Sequence, residues 1–150
     1  MRGWILLVAA LLLAACGRRT EQAQGAAYLQ QVQQVLQELR ALDQQIAAQV
    51  TADTLGSNRI VPLIRQQYRP ALAGLRQRVA GLSPSTGLEG VNQQLLHYLD
   101  LRLRAYDLAI QGAQEERPEL FEEFSRLQVE ADQVGRTLEE ELRQARQRYK

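Results

Sequence analysis

The spacing of apolar residues limits the fold of this chain more than any other feature. From Tyr28 onward, apolar residues recur at steps of three and four, which is the period of one face of an α-helix. Four such stripes follow one another: Tyr28, Val32, Val35, Leu39, Leu42 and Ile46; Val61, Ile64, Tyr68, Leu72, Leu75, Val79 and Leu82; Leu88, Val91, Leu95, Leu99, Leu103, Tyr106, Ile110 and Ala113; Leu120, Phe124, Leu127, Ala131, Val134, Leu138, Leu142, Ala145 and Tyr149. No segment alternates as a strand does, so the sequence predicts an all-α protein.

Prolines divide the four stripes. Pro84 marks a loop at residues 81–87, and Pro118 suits the first turn of the last helix. Pro70 lies inside the second stripe, where a proline removes a backbone hydrogen bond and costs about 3 kcal/mol. We therefore expect the second helix to be kinked near Pro70.

Four amphipathic helices with short connections predict an antiparallel up-down-up-down bundle. Thr86 and Glu89 have the spacing of a capping box, which would open the third helix. Such a bundle places the start of the first helix and the end of the last helix at the same end. The rival architecture is a longer coiled coil that self-associates through the first and fourth stripes.

The first residues differ from the rest of the chain. A short basic start at residues 1–3 is followed by an apolar run at residues 4–13, and the run ends in Leu13-Ala14-Ala15-Cys16. This order is typical of a secretory signal peptide. The apolar run is too short for a membrane-spanning helix, which needs about 20 residues. Cys16 is the only cysteine of the chain.

The segment Leu13-Ala14-Ala15-Cys16 resembles the lipobox of bacterial lipoproteins. The resemblance implies cleavage between Ala15 and Cys16, a diacylglyceryl group on the Cys16 thiol, and acylation of the new amino terminus. It divides the chain into a signal peptide at residues 1–15, a lipidated cysteine with a short tether at 16–25, and a bundle domain at 26–150. By the sorting rule of enteric lipoproteins, Gly17 in place of an aspartate implies the outer membrane, with the protein on its periplasmic face.

Composition excludes several classes of function. The formal net charge is only +1, which argues against nucleic-acid binding through a basic surface. His97 is the only histidine, and the only methionine lies in the signal segment, so we expect no metal site. We expect no cofactor either, apart from the covalent lipid on Cys16.

Five polar or aromatic residues are candidates for a ligand pocket between helices. They are Tyr68, His97, Tyr98, Arg102 and Tyr106. Tyrosines at helical spacing are more often core residues whose hydroxyl reaches the rim. A catalytic role for His97 would need a cleft and a nearby carboxylate such as Asp100, and no set of catalytic residues is evident around it.

The sequence therefore predicts a non-enzymatic, lipid-anchored envelope lipoprotein with a structural or protein-interaction role. An envelope protein is the expected partner, and an oligomer is compatible with the pattern. The alternative is a periplasmic helical bundle that binds or senses a small ligand. The terminal Lys150 is similar to the end of the major murein lipoprotein of enteric bacteria, whose last lysine is joined to peptidoglycan, and this leaves a wall linkage open.

Overall fold

The computed structural model describes residues 2–49 and 60–149, and for residues 2–19 it describes the backbone alone. Helix α1 spans Arg2–Gln49, α2 residues 60–80, α3 Glu89–Gln114 and α4 Glu119–Arg148. These described ranges contain helices and connections but no strand, so the all-α class is confirmed. Lys150 lies outside the described residues.

The order of cross-helix contacts gives the direction of each helix. Along α1, Glu38 pairs with Arg78 and Gln49 accepts a hydrogen bond from Tyr68, so α2 runs antiparallel to α1. The contacts of the other three helix pairs also run in opposite directions. Between α2 and α3, Arg76 contacts Asp100 and Arg69 contacts Asp107; between α3 and α4, Tyr98 lies against Gly135 and Gly112 against Phe121. Between α1 and α4, Gly25 lies against Tyr149, and Arg40 pairs with Glu139. The up-down-up-down bundle is therefore confirmed.

The predicted stripes form the core of this bundle. Its fully enclosed side chains include one from each stripe, at Val32, Leu72, Leu99 and Leu127. Burying a leucine contributes about 1.5–3 kcal/mol to folding. The stripes of α1 and α4, which the rival coiled coil would have used for self-association, pack against helices of the same chain.

Helix α2 contains an irregular turn close to the predicted kink. It begins as an α-helix at Ile60–Leu63, widens into a π-helical turn at Ile64–Tyr68, and resumes as an α-helix at Arg69–Ala80. Pro70 lies in the first turn of the resumed helix, where its missing N–H is tolerated. The irregularity therefore precedes Pro70, while a kink of the helix axis stays a prediction.

The start of α3 differs from the prediction. The cap residue is Leu88, which is completely buried, and not Thr86. Gly87 has a φ of 83°, a left-handed conformation that prevents the helix from extending back through it. The Glu89 carboxylate accepts the backbone N–H of Gly87 at 2.7 Å. The predicted capping box is wrong, although Glu89 still satisfies one loop amide.

The packed part of α1 begins at Gly25. The preceding segment, predicted as a tether, is helical, and its described residues 20–24 are exposed. Gly25 is buried, and a Cβ atom there would overlap the ring of Tyr149. The Tyr149 hydroxyl donates a hydrogen bond of 2.8 Å to the carbonyl of Thr86. The last turn of α4 therefore joins α1 and the loop before α3 at one end of the bundle.

In the described part of the chain, no helix is both long and apolar enough to cross a membrane.

Candidate functional site

Cys16, the predicted site of lipid attachment, lies on α1 upstream of Gly25. Its side chain, like that of Ala15, is outside the part of the structure that is described. At 1.5 Å per residue, the helix between Cys16 and Gly25 is about 14 Å long. Lipidation of Cys16 and cleavage after Ala15 stay predictions.

Three of the five candidate pocket residues come together on the core side of α3. The Arg102 guanidinium donates hydrogen bonds to the Tyr98 hydroxyl at 2.9 Å and to the Tyr106 hydroxyl at 3.3 Å. It also lies 5.8 Å and 6.0 Å from the centroids of the two rings. The three residues are spaced by four, so successive turns of α3 place them on one face.

Asp43 of α1 completes this cluster. Its carboxylate accepts two parallel hydrogen bonds from Arg102, Nη1 to Oδ2 at 3.0 Å and Nη2 to Oδ1 at 2.6 Å. Asp43 was not predicted as a site residue because it falls among the polar residues of α1. Its position next to Leu42 and three residues before Ile46, at the edge of the α1 stripe, could have indicated that it lies close to the core.

The charge of Arg102 is held in the interior. Its side chain is only 10% exposed, whereas that of Asp43 is 41% exposed. Burial acts to lower the pKa of Arg102, but the hydrogen bond to Asp43 and attraction to Tyr98, Tyr106 and Asp43 outweigh it and raise the pKa. Burial also raises the pKa of Tyr106. Arg102 is therefore a cation, and Tyr106 a neutral phenol, at neutral pH.

One polar atom of the cluster has no hydrogen-bond partner in the described part of the chain. This atom is the buried Nε of Arg102. Both carboxylate oxygens of Asp43, by contrast, are directed at the guanidinium. A carboxylate engaged in this way fixes the position of Arg102.

Tyr68 and His97 do not join the cluster. Tyr68 is buried in the core, and its hydroxyl donates to Gln49. His97 is exposed and lines a shallow depression on the outside of α3 and α4, near Glu141. His97 and Tyr98 are neighbours in sequence, and successive residues of a helix differ by about 100° in direction. The five residues therefore do not form one pocket.

A partly enclosed cleft lies beside the cluster, between α1 and α4. Its volume is about 210 Å³. Tyr98 and Asp43 belong both to the cluster and to the lining of the cleft, whereas Arg102 does not line it. Its lining residues are Leu36, Leu39, Arg40, Asp43, Tyr98, Asp132, Gly135, Arg136, Leu138, Glu139 and Leu142. A more open groove on the other side of α1, between α1 and α2, includes Leu42 and Gly74.

Neither metal-binding groups nor similarity to known proteins assigns a function to this site. Among the described residues, no three His, Cys, Asp or Glu side chains are grouped so that they could hold a metal ion. No family model, curated protein or solved structure matches the chain. The cluster and the adjacent cleft are therefore the candidate site on geometric grounds alone.

Proposed function

We propose that the chain is a lipid-anchored lipoprotein of the bacterial cell envelope with a non-enzymatic structural or protein-interaction role. The observation that carries the proposal is the position of Cys16 ahead of the packed helices. Cleavage between Ala15 and Cys16 would remove none of the described core residues, the first of which is Tyr28. The lipidated end would then be joined to the bundle by a short helical segment.

The placement of polar groups supports a structural role over a catalytic one. Arg102 and Asp43 are engaged with each other, and His97 lines a separate depression and not the cleft. A general base acts within hydrogen-bond reach of its substrate, and the cleft is lined by no histidine. The expected partner is another protein of the envelope.

Metabolic labelling tests the anchor. The chain is produced in a Gram-negative host with radiolabelled palmitate, in parallel with a Cys16→Ser variant. We expect label in the wild-type chain and none in the variant, because the thiol is the acceptor of the diacylglyceryl group. An unlabelled wild-type chain would overturn the proposal.

A second variant tests which of the two membranes holds the chain. Gly17→Asp should move the labelled chain from the outer-membrane to the inner-membrane fraction on a density gradient, as the enteric sorting rule implies. Retention of both forms in the inner membrane would contradict an outer-membrane location.

Cross-linking in intact cells tests the interaction role, with the mislocalised Gly17→Asp variant as the control. This role predicts cross-linked partners that are specific to the wild-type chain.

The cleft favours a second candidate, a helical bundle that binds a small ligand in the periplasm. 1-Naphthylamine, an apolar fluorophore close in size to one amino acid, would then bind the purified chain with increased fluorescence. Gly135→Leu would fill the cleft and abolish the increase, whereas Gly74→Leu, in the groove between α1 and α2, would not. Equal binding by all three chains would contradict a ligand site in the cleft.

A further inference from the structure

The rim of the cleft between α1 and α4 carries two charges without ion-pair partners. Asp132 and Arg136 are four residues apart on α4, a spacing that commonly forms helical ion pairs. Within the described ranges, neither side chain is in an ion pair. Of the other charged residues that line the cleft, Asp43 is paired with Arg102, and Arg40 and Glu139 are 3.7 Å apart and form an ion pair. The rim thus presents one free carboxylate beside one free guanidinium.

One aromatic side chain of the cleft lining is held in place by a hydrogen bond. Tyr98 lines the cleft, and its hydroxyl accepts a hydrogen bond of 2.9 Å from the buried Arg102. Gly135 leaves space above the ring, since a Cβ atom at this position would lie 3.2 Å from Tyr98 Cε2. A surface fixed before binding loses less entropy when a ligand arrives.

The walls and the volume limit the size and polarity of an occupant. Leu36 and Leu39 of α1 and Leu138 and Leu142 of α4 line the cleft, so part of its wall is apolar. Pockets for drug-sized ligands have volumes of roughly 300–1,000 Å³. A cleft of about 210 Å³ is smaller and suits a molecule of the size of one amino acid.

We propose that this cleft binds a small apolar zwitterion of the amino-acid type. The ligand's ammonium group would lie against Asp132, its carboxylate against Arg136, and its hydrocarbon part between the leucines above Tyr98. A simple cation or anion would satisfy only one of the two rim charges and would place like charge beside the other. This inference deepens the second candidate function and depends on it.

Isothermal titration of the full chain in detergent micelles tests the assignment with L-leucine as the probe. Isopentylamine, which lacks the carboxylate, and 4-methylpentanoic acid, which lacks the ammonium group, are the comparison probes. We expect saturable binding of L-leucine and about fivefold weaker binding of either comparison probe, because each forms only one charged contact. Equal binding of all three probes, or no saturable binding of L-leucine, would overturn the proposal.

Paired variants locate the contacts. Arg136→Gln should weaken L-leucine binding about fivefold without weakening the binding of the amine, and Asp132→Asn should do so without weakening the binding of the acid. Arg126→Gln and Glu130→Gln are matched controls on the same helix, since these residues are 3.9 Å apart and do not line the cleft. Equal losses in the controls would overturn the proposal.

The experiments test the cleft site, the zwitterion assignment and the lipid anchor separately. Gly135→Leu should abolish L-leucine binding while circular dichroism shows an intact helical fold, and retained binding would overturn the site. If 1-naphthylamine binds the cleft but L-leucine does not, the zwitterion assignment fails and the second candidate function survives. Palmitate labelling of Cys16 is independent of both results.

Discussion

Helices α3 and α4 meet through small residues, whereas α1 is held to the bundle by large side chains and polar pairs. Ala105 of α3 and Ala131 of α4 are buried together, and Gly112 and Gly135 each lie against a side chain of the other helix. Small residues let two helices approach closely and make many van der Waals contacts.

Helix α1 is attached in a different way. Its leucines and valines reach into the core, but clefts flank it on the sides of α2 and α4. Two hydrogen-bonded contacts join it to α3, from Tyr28 to Asn92 at 3.0 Å and from Arg102 to Asp43. Polar pairs of this kind favour one register because a shifted helix would leave buried groups unpaired.

The difference indicates which kind of substitution should destabilise each part of the bundle. The α3–α4 pair depends on shape, so added volume should destabilise it. Helix α1 depends on polar partners, so the loss of one partner should weaken its attachment. Since Cys16 lies on α1, these polar contacts would also connect the proposed anchor to the rest of the bundle.

The largest effect is expected from Asp43→Ala. This change leaves the Arg102 guanidinium, which is 10% exposed, without its counter-ion. Removing one partner of a buried ion pair should lower the free energy of unfolding by about 3 kcal/mol, measured by urea denaturation. The double variant Asp43→Leu/Arg102→Met should recover most of this loss. A single-variant loss below about 1 kcal/mol would show that the pair does not hold α1 in place.

A pH titration should show the second effect, at Tyr28. Burial raises the pKa of Tyr28 to about 12, from 10.0 in the unfolded chain. Its contribution is therefore complete below pH 10 and is lost as the pH rises through 12, because the unfolded chain ionises first. We expect a loss of about 2 kcal/mol over this range, and a smaller loss in Tyr28→Phe. Identical curves for the wild type and Tyr28→Phe would contradict the prediction.

A smaller destabilisation is expected from Gly112→Ala in the α3–α4 pair. A Cβ atom at residue 112 would lie 3.1 Å from Phe121 Cε2 and 3.2 Å from the carbonyl oxygen of Arg117. The backbone carbonyl cannot rotate away as a side chain can, so we expect a loss of about 1–2 kcal/mol in urea denaturation. Unchanged or increased stability would show that the pair tolerates added volume.

The matched substitution Gly74→Ala should have the smallest effect and the opposite sign. No atom lies within 4 Å of a Cβ atom at residue 74 in helix α2, so the methyl group meets no obstacle. Alanine restricts the unfolded chain and favours the helix, and we expect a gain of about 0.5–1 kcal/mol. If thermal denaturation shows the same sign of change for Gly74→Ala and Gly112→Ala, packing does not distinguish the two sites.

The helices could be predicted because their apolar period is a local property of the sequence. Tyr98, Arg102 and Tyr106 could be grouped for the same reason, since residues spaced by four share a helix face. His97 was grouped with them by sequence proximity, yet it faces a different direction. The capping box failed because the left-handed Gly87 and the buried Leu88 set the start of α3.

Pairs between helices could not be predicted in this way. Arg76 contacts Asp100, and Arg69 contacts Asp107, because α2 and α3 pack side by side in one particular register. That register depends on the packing of the whole bundle and not on spacing within either helix. Asp43 was missed for the same reason, since its partner is on another helix.

The mass of the amino-terminal peptide is the most direct test of lipid anchoring. The chain is purified from the membranes of a Gram-negative host, digested and analysed by mass spectrometry. The proposal predicts a peptide that begins at Cys16 and carries a diacylglyceryl group and an amide-linked acyl chain. A peptide that begins at Met1, or one that contains Cys16 with a free thiol, would contradict it.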